Sequence, residues 1–151
     1  MNILSGTYEC KSDAKGRIVL SVGLKKQLEP VLNQGFVLKR SMFQPCLELY
    51  PKLEWEKFMT QMMKLNRFVK KNNDFIRAFT AGSKEVDIDA NGRLLLAKDL
   101  LSYSGIVKDV VLASSITYIE IWDKEAYESA IDVEMDGFDD LAEQVMGGLS
   151  F

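Results

Sequence analysis

The sequence predicts an α+β fold dominated by β structure, in which two tandem copies of one small module pack into a pseudo-symmetric barrel with flanking helices. Three observations lead there. Asp-x-x-Gly-Arg occurs at Asp13–Arg17 and again at Asp89–Arg93, in a chain of 151 residues. Short apolar and alternating runs follow each copy in the same order. Between the copies lies a stretch whose apolar residues recur with helical spacing.

Each element of the first copy has a local reason. Asp13 can bond its own backbone two residues on, and Gly16 can take positive φ without steric cost, so the motif reads as a hairpin-like turn. The apolar run Ile18–Leu20 reads as a strand and Gly23–Leu28 as a short helix. "FVLKR" from Phe36 and "CLELY" from Cys46 read as two more strands, the second alternating around Glu48 and ending on an aromatic. "PKLEWEKF" opens a helix on Pro51, a residue suited to a helix start.

The connecting stretch places Trp55, Phe58, Met59, Met62 and Leu65 on one helical stripe for a buried face. A further helix is expected from caps around Asn73 and Asp74, through Phe75, Ile76 and Phe79, to a stop at Gly82. The second copy then repeats the first: Asp89 and Gly92 make the turn and Leu94–Leu96 the strand. "KDLLSYSG", "DVVLA" and "YIEIW" follow, and a helix opens at the N-cap Asp123. The acidic tail ends in Gly147 and Gly148 and is expected to be mobile there.

One module offers about four short strands, too little sheet to bury a face alone, and two together suffice. The expected organisation is a first module over 1–53, a helical connector over 54–81, a second module over 82–125, and a C-terminal helix with acidic tail over 126–151.

Composition narrows the function. The chain has no histidine, which removes the commonest general base and every Ser-His or Cys-His nucleophile pair. Neither a phosphate-binding Gly-rich motif nor a nucleophile elbow is present. Cys10 and Cys46 are isolated. The expectation is therefore no enzyme, no catalytic or metal site, no cofactor and no small-molecule substrate. No apolar run approaches a membrane span and the start lacks a signal-peptide pattern, so no membrane partner and a cytoplasmic location are expected.

The net charge of −3 conceals an asymmetry. Residues 1–81 hold 14 Lys+Arg against 7 Asp+Glu, and residues 82–151 hold 5 against 15. A basic first half suits an anionic partner. Arg17 and Arg93 occupy equivalent places on the two turns, so they should emerge together, and a guanidinium forks onto phosphate or guanine. Lys15 adds charge, and Asp13 and Asp89 stand four residues before each Arg, placed to hold its rotamer. Taken singly, such a motif is an ordinary surface ion pair of little energetic worth. Its repetition, together with the basic first half, sets contact with an anionic partner such as DNA level with the plain turn-closing pair.

These residues carry a resemblance. "GTYECKSDAKGR", "CLELYPKLEWEKF", "AGSKEVDIDANGR" and "YIEIWDKEAYESA" make the chain similar to the MraZ family of bacterial transcription regulators, built from paired SpoVT-AbrB modules. The resemblance implies tandem swapped-hairpin (AbrB-like) β modules and protomers assembled into a ring. It also implies sequence-specific binding of double-stranded DNA through tandem short boxes, acting on the division and cell-wall gene cluster and on the protein's own promoter, hence a nucleoid-associated protein. Carried onto this chain, the DNA-binding residues are Lys15, Arg17, Asn91 and Arg93. The turns are supported by Asp13, Gly16, Asp89 and Gly92. Asn91 lacks the charge of Lys15, which makes the second half the weaker contact. The chain departs from the family at Ser12, where Leu is common, and at Ser21 and Ala97, where Pro is common. The alternatives are an antitoxin-like protein-interaction module using the acidic arm and a ring-forming structural protein. For the tail itself, a solvated acidic segment is the plainer reading and mimicry of DNA the second.

Overall fold

In the computed structural model, residues 3–149 are described. The first copy runs through β1 (Thr7–Lys11), β2 (Arg17–Val19), α1 (Val22–Leu28), a 3-10 segment (Glu29–Gln34), β3 (Phe36–Arg40) and β4 (Leu47–Pro51). Then come α2 (Lys52–Met62) and α3 (Lys70–Thr80). The second copy repeats the order with β5 (Lys84–Val86), β6 (Arg93–Leu95), α4 (Lys98–Ser104), β7 (Asp109–Ser115) and β8 (Tyr118–Asp123), and α5 (Lys124–Met135) and α6 (Phe138–Met146) follow.

Six strands make one antiparallel sheet in the order β1-β7-β8-β4-β3-β5, while β2 and β6 pair as a separate ribbon. The order reads the same when the two copies are exchanged. Each copy gives its first strand to the other: β1 pairs with β7 and β5 with β3. The fold is α+β as expected, but it is not mainly β, because its six α-helices hold more of the described residues than its eight strands; nor does the antiparallel sheet close into one barrel. Strands β1 and β5 remain its edges, and the ribbon lies over one face instead of bridging them. Three-residue strands such as β2 and β6 are long enough to pair with each other but not to complete a closed ladder.

Strand alternation divides the molecule into layers. Phe36, Leu38, Leu47, Leu49, Val110, Leu112, Ile119 and Ile121 point to one face of the sheet. There they meet Ile18 and Leu94 from the ribbon, and Leu24, Leu28 and Leu100 from α1 and α4. Each of these buried aliphatics contributes about 1.5–3 kcal/mol, and together they seat the ribbon. The opposite face carries Lys39, Glu48, Tyr50, Tyr118, Glu120 and Trp122, and is covered by aromatic contacts from α2 and α3 and by α5. The predicted stripe Trp55, Phe58, Met59, Met62 and Leu65 is the half-buried side of this region.

Two helices differ from expectation. The helix predicted from Asn73 begins at Lys70. Asn73 turns back to the loop, donating to the Arg67 carbonyl and accepting from Arg67 Nε at 2.8 Å, so it ties the loop to the helix without capping it. The helix ends before Gly82, whose φ is 72°. The acidic tail is helical over α6, and the chain end beyond 149 lies outside the described residues. Asp123 does cap α5, accepting from the Ala126 amide at 3.2 Å. Among the described residues no helix is long and apolar enough to cross a membrane.

Candidate nucleic-acid interface

Both repeated turns close by the same set of bonds. Asp13 Oδ1 accepts from the amides of Lys15 and Arg17, each at 2.9 Å, and Oδ2 accepts from Arg17 Nε at 2.6 Å. Asp89 does the same with Asn91 and Arg93, at 2.9, 2.9 and 2.8 Å. Gly16 and Gly92 sit at φ 85° and 78°, where a side chain would be strained. The Arg17 amide, then its guanidinium, hold the Asp13 carboxyl below the usual carboxylate range. The Arg93 amide does likewise for Asp89. Both therefore stay ionised at neutral pH. Pairs this exposed add little stability; what they supply is direction. Nε of each arginine is committed to its own turn, and the terminal amino groups, the part that forks onto phosphate or a base edge, are free of protein hydrogen bonds among the described residues.

The ribbon brings the two arginines together. Its register sets Arg17 opposite Leu95, Ile18 opposite Leu94, and Val19 opposite Arg93. The period of two sends Ile18 and Leu94 into the core and the other four outward. Two further bonds extend the pairing symmetrically, Leu20 amide to Gly92 carbonyl and Leu96 amide to Gly16 carbonyl, both 2.8 Å. One exposed face thus presents two cations on a diagonal and two apolar side chains, Val19 and Leu95, that are 53% and 57% exposed.

Sequence reasoning missed Val19 and Leu95, although the alternation in "RIV" and "RLL" puts each on the face of its arginine. It also missed Lys108. Arg17, Arg93, Val19, Asp13, Lys11 and Lys108 border one hollow of about 560 Å³. Lys108 belongs to the second copy, and only the exchange of β1 onto β7 carries it to the first turn, where the Ser12 amide donates to its carbonyl at 2.7 Å. Lys11 is partly neutralised by Asp109 at 3.0 Å. At the places of Lys11 and Lys15 the second copy has Asp87 and Asn91, so the cationic end of the ribbon is the first turn.

The departures at Ser12, Ser21 and Ala97 are accommodated. Ser12 is buried and its hydroxyl donates to the Asp13 carbonyl at 3.0 Å. Ser21 and Ala97 precede α1 and α4 with φ near −60°, the value proline would impose.

The chain matches the model of the family described as "MraZ protein, putative antitoxin-like", over residues 3–78 and again over 79–146. A protein named Transcriptional regulator MraZ from Flavobacterium psychrophilum is 59% identical over 150 residues, covering 99% of this chain and 96% of its own. One of the same name from Christiangramia forsetii is 58% identical over 148 residues, with coverage of 98% and 96%. Another, from Cytophaga hutchinsonii, is 34% identical over 146 residues, with coverage of 97% and 96%.

Proposed function

This chain belongs to the MraZ family, and on that premise we propose that it is a transcription regulator that grips double-stranded DNA with the outer face of the β2–β6 ribbon. The observation that carries the reading is the register, which sets Arg17 and Arg93 diagonally on one exposed face. A two-stranded ribbon fits the major groove, where arginine forks onto guanine O6 and N7 and an apolar side chain meets a thymine methyl. Arg17 and Arg93 take the first role, Val19 and Leu95 the second. Lys15 and Asn91, at the turn tips, and Lys108 face the phosphates, the first turn making the stronger contact.

One ribbon offers few contacts, so affinity comes from several copies on neighbouring boxes at high effective concentration. Family resemblance supports the finer reading: a ring of protomers on tandem boxes, upstream of the division and cell-wall genes and of the protein's own gene, in the cytoplasm at the nucleoid. A second reading, a protein-interaction module, is favoured by the exposed acidic arm α5–α6 and would reveal itself as a small basic protein copurifying with the chain.

The test is fluorescence anisotropy on duplex from the protein's own upstream region against a scrambled duplex, across a salt series. Arg17→Ala is expected to weaken specific binding at least ~5-fold, the lower end for one lost bidentate pair. Lys108→Ala should lower the log–log salt slope by about 0.9, one phosphate contact. Equal binding by wild type and Arg17→Ala would overturn the reading.

A further inference from the structure

A second concavity lies away from the ribbon, between the end of α1 and the start of α2. Pro51 presets the φ of a helix start, so α2 leaves the sheet directly after β4. Helical spacing then divides α2. Trp55 and Phe58, three apart, pack on Tyr50, and Leu53, Glu56 and Lys57 take the other side. That side, with Leu4, Leu28, Val31 and Pro51, borders a hollow of about 470 Å³. Small-molecule sites span about 300–1,000 Å³ and have this kind of lining, an apolar wall with a few polar groups.

The polar groups have distinct roles. Glu54 is mostly covered and accepts from Lys57 Nζ at 2.9 Å, so that pair is neutral. Glu56 has no ion pair among the described residues, and Lys52, one turn before it, is held by Glu85 at 2.7 Å. Among the described residues the rim thus carries one unbalanced negative charge. Gln27 is committed to fixing α1: its side chain accepts from the Ser5 amide at 2.9 Å and donates to the Tyr8 hydroxyl at 2.7 Å.

The far wall is strained. Ile116, at the turn between β7 and β8, has φ 66° and is the one residue other than glycine with positive φ among the described residues. A β-branched side chain resists that conformation. The Leu4 amide donates to the Ile116 carbonyl at 2.8 Å, and the turn sets Leu4 and Thr117 on the hollow. Strain of this kind, held in place by its surroundings, gathers at ligand clamps.

We propose that the hollow binds a small molecule with an apolar body and one cationic amine, the body against Leu28, Val31 and Leu53 and the amine at Glu56. Apolar contact supplies the affinity and the unpaired carboxylate the choice of ligand. Occupation reaches the ribbon through Leu28, which lines the hollow and packs in the same core as Ile18 and Leu94. It also acts through α1, which begins at Val22, just after β2 ends at Val19. The site stands apart from the DNA reading, and only its effect on DNA binding rests on that reading.

Saturation-transfer NMR on the full-length chain tests this with three probes that share one body: phenylbutylamine, phenylbutanol and phenylbutyrate. The amine is expected to bind with a Kd of about 1 mM or tighter, and about five-fold more tightly than the acid. Glu56→Lys should invert that order. Val31→Phe, which fills the hollow, should weaken all three at least ~10-fold. Glu56 is exposed, so the inversion test stands even where Val31→Phe does not fold. Saturating amine should shift the duplex Kd of wild type, read by anisotropy, at least ~5-fold and leave that of Val31→Phe unchanged. No binding of any probe, equal binding of amine and acid, or binding that Val31→Phe leaves intact would overturn the site. Loss of assembled mass in Val31→Phe, with no probe bound by wild type, would give the hollow to a neighbouring copy and overturn it too. An unchanged duplex Kd with the amine bound would overturn the link to the ribbon. The DNA reading fails separately, when Arg17→Ala binds the duplex as well as wild type does with no probe present.

Discussion

Glu48 of the first copy stands directly opposite Glu120 of the second, at the middle of the β4–β8 pairing. Together with Ile18 opposite Leu94 in the ribbon, this contact marks the line about which the copies exchange. Opposed residues in an antiparallel pair bring their Cβ atoms to about 5 Å, so the symmetry forces two carboxylates together on a covered face. The copies resolve this differently. Glu48 is buried and accepts from Lys39 Nζ at 3.0 Å and the Tyr50 hydroxyl at 2.9 Å. Among the described residues Glu120 accepts only from the Trp122 indole, at 3.1 Å.

Burial, with Glu48 nearby, holds the Glu120 carboxyl above its ordinary range, the indole bond opposing this. The folded state therefore binds that proton more tightly than the unfolded chain. The resulting stability is present below the ordinary glutamate range and is lost as pH rises through the raised value. Glu120→Gln, which keeps the acceptor for Trp122, should melt higher than wild type at pH 7, and the gap should close below about pH 4. A gap that does not vary with pH would exclude the carboxylate charge as its cause.

Lys39 has no exposed surface, donates to Glu48 and to the Arg40 carbonyl, and lies 4.6 Å from the Phe79 ring centre. Removing one member of a buried pair leaves the other uncompensated and costs about 3–5 kcal/mol. Lys39→Met should lower the urea-unfolding free energy by that order, and Lys39→Met with Glu48→Gln should recover at least half. Additive losses would mean that the two side chains are not coupled.

The repeated glycines are not equivalent. A Cβ on Gly16 would strike the Leu96 carbonyl oxygen and lie 2.7 Å from Leu101 Cδ1, whereas one on Gly92 would first meet the flexible Lys25 side chain at 3.3 Å. Both substitutions carry the strain of positive φ, about 1 kcal/mol or more, and only Gly16→Ala adds a backbone collision. Thermal unfolding should show Gly16→Ala as the costlier by about 2 kcal/mol. Equal losses would leave backbone conformation as the only term.

Ser21 and Ala97 have the φ that proline imposes, and neither backbone amide donates a hydrogen bond among the described residues. Ser21 also buries a hydroxyl that has no hydrogen-bond partner among the described residues. Ser21→Pro and Ala97→Pro should each stabilise by about 0.4–1 kcal/mol, through reduced freedom of the unfolded chain. A loss of melting temperature would show that the chain before α1 or α4 needs a conformation proline excludes.

The sequence by itself determined the local chemistry of this protein. Asp13 and Asp89 could be read as turn-closing because a carboxylate reaches the amides two and four residues on, and Gly16 and Gly92 because only glycine takes that φ cheaply. The strand runs and the Asp123 cap were legible for the same reason: the interactions that form them span a few residues. Tertiary structure alone decided what depends on distant partners. The exchange of β1 and β5 between copies brought Lys108 to the first turn and left the sheet open. The register of β2 on β6 aimed Arg17 and Arg93 to one side together with Val19 and Leu95. Strand pairing is settled by which apolar faces bury together, a condition on the whole chain that no short window contains.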